Sequence, residues 1–102
     1  MSQYVLSSAA LQELDEIWSY IAQDNPDAAD RWIDKLLDAC DTLARSPRLG
    51  HSREDLADRL MLFWPVETYL IVYTIKSDHI EILAVTQGSR DVPPYLRDRT
   101  RL

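Results

Sequence analysis

At 102 residues, with 46% hydrophobic residues and only 2 Gly, the chain has the apolar content for one core. It falls short of two domains of ordinary size, so a single domain over residues 1–102 is the expectation. Low-complexity disorder does not fit this composition, and the longest apolar stretch, residues 60–66, is far below the roughly 20 residues of a membrane helix. No basic segment leads into an apolar one at the amino end, so the expected location is cytoplasmic. The formal net charge of -6 argues against free nucleic-acid binding, which uses a basic surplus to neutralise phosphates. The acids are also gathered unevenly: residues 1–44 carry nine carboxylates against Arg31 and Lys35 alone.

Taken in chain order, residues 3–6 read as a short strand that ends at Ser7 and Ser8, either of which suits a helix N-cap. From Ala10 onward, Leu11, Leu14, Ile17, Trp18 and Ile21 recur at spacings of three and four, the stripe of an amphipathic helix. Gln12, Glu13, Asp15 and Glu16 take its wet side. Asp24-Asn25-Pro26 breaks that helix and starts another, with Asn25 as cap and Pro26 in a first turn that needs no N–H. The second helix sets Ala29, Trp32, Ile33, Leu36, Leu37, Cys40, Leu43 and Ala44 on its apolar side and ends by Ser46-Pro47 and Gly50. Joined so closely, the two form an antiparallel hairpin over residues 8–45.

The second half reads as β. Residues 59–64, 68–75 and 80–87 are β-branched and aromatic runs joined by short links, the pattern of an antiparallel meander. The class is therefore α+β: an N-terminal strand, a helical hairpin and a three-strand meander, in a three- or four-strand antiparallel sheet. The expected core includes Leu14, Ile17, Trp18, Ile33, Leu36, Cys40, Ile71 and Ile82. In the middle strand Tyr69, Ile71, Tyr73 and Ile75 share one face, while Leu70 and Val72 share the other. Both faces being apolar, one packs the hairpin and the other needs a second cover, either residues 92–102 or a partner protein. Residues 50–58 are the polar connection long enough to move.

Few motifs carry chemistry. Cys40 lies at helical spacing among leucines and reads as a core residue. His51 and His79 are the candidate general bases by type, but each sits in a polar connection without an evident partner. Cys and His show no metal-ligand spacing, no phosphate-cradling glycine loop is present, and no cofactor is implied.

The order of elements, together with Ala10-Leu11-Gln12-Glu13-Leu14-Asp15-Glu16-Ile17 and Tyr20, then Asn25-Pro26-Asp27-Ala28-Ala29, Ser46-Pro47-Arg48-Leu49-Gly50, Asp55-Leu56, Tyr69-Leu70-Ile71-Val72-Tyr73, Ile80-Glu81-Ile82-Leu83 and Gly88-Ser89-Arg90-Asp91, resembles the ParE/RelE superfamily across nearly the whole length. That resemblance implies a small toxin of a type II toxin-antitoxin system, neutralised by a co-expressed, ParD-like antitoxin.

Within the superfamily, RelE-like members cut mRNA on the ribosome with side chains set on the sheet, where one group activates the 2′-OH and another protonates the leaving oxygen. Where such sequences often end the last strand with His, this chain has Gln87, whose amide does not exchange a proton near neutral pH. The departure favours the ParE branch, in which the toxin binds DNA gyrase as a poison and needs no catalytic group. The alternatives are a ribosome-dependent mRNA endonuclease using His51, Arg53, Arg59, Arg90 and Tyr95, and a decayed homologue that still binds an antitoxin. Arg59 and Arg90 either clamp a phosphate or pair with Asp55, Asp58 and Asp91. The basic residues Arg90, Arg97, Arg99 and Arg101 are the candidate target contacts. Asp30, Asp34 and Asp38, with Tyr69 and Tyr73, are the candidate antitoxin surface; a plain solvated helix face is the other reading of those acids.

Overall fold

A computed structural model describes residues 3–52 and 61–87. The chain runs β1 (Tyr4–Leu6), α1 (Ser8–Ala22), α2 (Pro26–Arg45), a 3-10 turn (Pro47–Leu49), β2 (Met61–Val66), β3 (Tyr69–Ile75) and β4 (Ile80–Gln87). Each helix begins where a side chain accepts a free backbone N–H. Ser7 accepts from Ala10, and Asn25 accepts from Ala28 with Pro26 in the first turn. Thus Ser7, rather than Ser8, is the first cap.

The described strands form one sheet in the order β1-β4-β3-β2. β2, β3 and β4 make the antiparallel meander, but β1 lies parallel to β4, with Tyr4 opposite Ile80 and Leu6 opposite Ile82. This corrects the expectation of a wholly antiparallel sheet. The helical hairpin lies between β1 and the meander in the chain, and a connection of that length can return to the sheet in either sense, unlike the tight turns that oblige β2, β3 and β4 to alternate.

The turn joining β2 to β3 has Glu67 at φ 55°, a left-handed conformation that bulky residues seldom adopt. Glu67 and Thr68 are the two residues between the paired Val66 and Tyr69. Mirror-image hairpin turns need positive φ there because their twist matches that of the strands. The Glu67 carboxylate pairs with Lys35 of α2, tying the turn to the helix.

β4 contains a bulge that the sequence pattern does not announce. Val72 pairs with Ala84 but Tyr73 pairs with Ile82, so Leu83 is the extra residue. The insertion flips the alternation: Ile80, Ile82 and Val85 join the helix-side core, whereas Ala84 joins Met61, Phe63, Leu70 and Val72 in the opposite cluster. The backbone around the bulge is satisfied from the start of α1. The Ser7 hydroxyl donates to the Leu83 carbonyl (3.0 Å), and the Val85 N–H donates to the Glu13 carboxylate (3.0 Å).

On the helix side, Leu36, Leu43, Ile71, Tyr73 and Ile82 are fully enclosed. Cys40 is buried with them, and desolvation pushes its thiol up to about 12, which keeps it protonated and unreactive at neutral pH. Of the expected core, Leu14, Leu36, Cys40, Ile71 and Ile82 are buried, and Ile17 and Ile33 pack against them half-buried. Trp18 differs: it is 38% exposed, and its indole N–H donates to Asp30 at 2.9 Å across the hairpin. The pairing explains the difference, because a Trp at the hairpin edge covers apolar area while its polar end faces outward. No helix among the described residues is long and apolar enough to cross a membrane.

Candidate functional site: the α2–β2 corner and the acidic helix face

The chain leaves α2 at Ser46 and turns at once through Pro47–Leu49. One hydroxyl fixes this corner. Tyr73, at the helix-side centre of β3, donates its O–H to the Pro47 carbonyl (2.6 Å) and accepts the Gly50 N–H (2.8 Å). Burial raises the Tyr73 pKa, while the hydrogen bond from Gly50 pulls it the other way, so the phenol remains a donor at neutral pH. Gly50 is required by close approach: a Cβ there would stand 2.4 Å from the Tyr73 oxygen.

Just beyond, His51 exchanges both backbone hydrogen bonds with Phe63 at the edge of β2 (2.8 Å each). Its ring stacks on Trp64 with centroids 6.2 Å apart. Pro65, lacking an N–H, occupies the same edge strand. His51 and Pro65 together leave β2 poorly suited to pairing with another strand. Although His51 does reach the sheet, it does so as an exposed ring lying on an indole. His79, at the β3–β4 turn, is only partly exposed and lies 2.6 Å from the Asp78 carboxylate. That hydrogen bond is the main reason the Asp78 pKa is lowered.

The acids of α2 present a different surface. Asp27, Asp30, Asp34, Asp38 and Asp41 are all exposed, with Asp41 paired to Arg45 (3.3 Å) and Asp30 accepting from Trp18. Asp34 and Asp38 carry no such tie among the described residues. Beside this face, a hollow of about 360 Å³ is lined by Ala28, Arg31, Trp32 and Lys35. The Lys35 ammonium lies 5.4 Å from the Trp32 ring centre, and Trp32 meets Tyr69 edge-on at 5.1 Å.

The structure therefore brings Asp30, Asp34 and Asp38 together on one face, but it separates Tyr69 and Tyr73 from them. Tyr69 is 7% exposed and Tyr73 0%. Both point into the layer beneath α2, because the face of β3 they share is the one on which the hairpin packs. Their side chains are core residues, and the expectation that they meet a partner is corrected to that extent. Arg53, Arg59, Arg90, Tyr95, Arg97, Arg99 and Arg101 lie outside the described residues. Gln87 ends β4 exposed, opposite Tyr69. Sequence reasoning named Ser7 as a cap but not its bond to Leu83, and it missed Glu13 and the Tyr73 hydroxyl as organisers. Ser7 and Asn25 carry recognisable cap signals, whereas Glu13 had none beyond its place on a polar helix face.

A strand, a helical hairpin and a meander, with buried tyrosines serving the core, define a small α+β protein. Comparison with known proteins gives its family. Residues 4–92 match the family described as ParE toxin of type II toxin-antitoxin system, parDE, and the chain belongs to that family. It is 37% identical over 87 residues to "Putative toxin Y4kP" of Sinorhizobium fredii, covering 85% of this chain and 88% of that protein. A solved structure, "Chromosomal ParDE TA system from P. aeruginosa", superposes with a TM-score of 0.73 over 87% of this chain and 98% of that one. At 17% identity it shows that the fold is shared.

Proposed function

We propose that this toxin is a non-enzymatic poison of DNA gyrase, held inactive by a ParD-like antitoxin. The observation that carries the reading is the family match across both helices and all four strands. It is supported by the end of β4, where this chain has the exposed Gln87 and, by the resemblance, related sequences often have His, a side chain that can exchange a proton. The net charge of -6 suits a protein-binding role better than one resting on broad phosphate neutralisation.

In this reading the basic residues Arg90, Arg97, Arg99 and Arg101 contact gyrase or the phosphates of its cleaved DNA. The acidic face of α2, through Asp34 and Asp38, meets cationic residues of the antitoxin and speeds its encounter. Expression in bacteria with the antitoxin withheld tests the proposal. Induction of the DNA-damage response and filamentation are expected, and truncation after Tyr95 should weaken both. Rapid arrest of translation with codon-specific mRNA cuts, lost in Arg90→Ala, would overturn it, and so would normal growth.

A further inference from the structure

Where the carboxyl end of α2 meets the β3–β4 turn, the surface opens into a groove of about 450 Å³ lined by Ser46, Pro47, Arg48, Leu49 and Ile75. A second hollow of about 180 Å³ shares Pro47 and Ile75 and runs on to Lys76, Ser77, Asp78 and His79. The floor is apolar and open to solvent. Leu49 is 42% exposed and Ile75 41%, among the largest apolar exposures in the described chain. Ile75 lies on the helix-facing side of β3 by alternation, but it falls beyond the end of α2 and is left uncovered.

The wall of the groove is rigid. A three-residue 3-10 turn has little stability of its own and no side-chain cap here, yet the buried Tyr73 hydroxyl grips it at both ends, through the Pro47 carbonyl and the Gly50 N–H. A ligand meeting this surface has little ordering entropy to supply. The charges point the same way. Arg48 on the turn and Lys76 after β3 have no ion-pair partner among the described residues, whereas the neighbouring Arg45 is engaged by Asp41, and Asp78, the carboxylate in the lining of the second hollow, is hydrogen-bonded to His79. In a chain of net charge -6, the groove is thus flanked by two cations without an ion-pair partner among the described residues.

We propose that this groove is a docking site for an acidic amphipathic helix of a partner protein. The helix seats a Leu- or Phe-sized side chain between Leu49 and Ile75 and sets carboxylates against Arg48 and Lys76. The chemistry is opposite to that of the α2 face, which calls for cations. The inference rests on the toxin reading only in that a toxin of this kind has a protein partner. A peptide probe reads the groove directly, so the two can fail separately.

The test is an amide NMR titration of the full chain with an acetylated, amidated helical peptide that carries leucines one turn apart flanked by glutamates. Controls replace Glu by Lys, or Leu by Ser. Shifts centred on Leu49, Ile75 and Lys76 are expected. Binding should weaken roughly tenfold in Arg48→Glu/Lys76→Glu and recover with the lysine peptide, and Leu49→Asp should abolish it. Because the charge swap can be made on the peptide alone, the outcome does not hang on any variant folding. Four results overturn the proposal: no binding, equal binding of the lysine peptide by the unaltered chain, shifts confined to α2, or a dimer of the chain that Leu49→Asp disperses.

Discussion

The two helices have similar apolar periodicity and opposite fates. α2 buries Leu36, Cys40, Leu43 and Ala44 in the core shared with the sheet, buries Ala29 too, and gives its acids to solvent. α1 buries only Ala10 and Leu14, while Leu11 (54%), Trp18 (38%) and Tyr20 (70%) stay outside. What α1 lacks in apolar burial it offsets with polar stitching, since Ser7 and Glu13 satisfy the backbone around the bulge in β4. An apolar stripe, then, establishes that a helix is amphipathic. Which part of the stripe is covered depends on the neighbours it meets.

That contrast can be broken by substitution. Leu36→Ala should cost about 3 kcal/mol, because a fully buried leucine leaves a cavity its surroundings fill only in part; chemical denaturation measures it. A smaller loss, about 1–2 kcal/mol, is expected for Ser7→Ala, which removes both a helix cap and the bond to the Leu83 carbonyl. Glu13→Ala should cost a similar amount by leaving the Val85 N–H unpaired, and Glu13→Gln should restore most of it, since the amide oxygen still accepts. At the small end, Leu11→Ala or Tyr20→Ser should fall within about 0.5 kcal/mol of the native chain. A loss at Leu11 as large as that at Leu36 would mean the two helices bury their stripes alike.

The fold was legible where local chemistry and periodicity agree. Asn25-Pro26 opens α2, the stripe from Ala29 to Ala44 is buried or half-buried, and β4 has the expected bounds. The parallel pairing of β1 was not legible, because three residues of strand carry no sign of direction. Nor was the bulge at Leu83, since Ile80 to Val85 is apolar enough to fit either register. The site was less legible than the fold. Tyr69 and Tyr73 have the amphipathic character of interface residues, yet their β3 face lies under α2, and the Tyr73 hydroxyl bonds groups 23 and 26 residues away in sequence. Such long-range pairings leave no local pattern. That Leu49 and Ile75 stay exposed was not legible either, because exposure depends on where α2 stops, which spacing alone does not reveal.

The central claim, that this chain poisons gyrase and cuts no RNA, is tested most directly by incubating the purified chain with gyrase and supercoiled plasmid and trapping the products with detergent. The account predicts that linear, gyrase-linked DNA accumulates with increasing toxin and disappears when the chain is truncated after Tyr95. Undiminished gyrase turnover without trapped cleavage, alongside codon-specific cutting when the same protein is added to translating ribosomes, would contradict it.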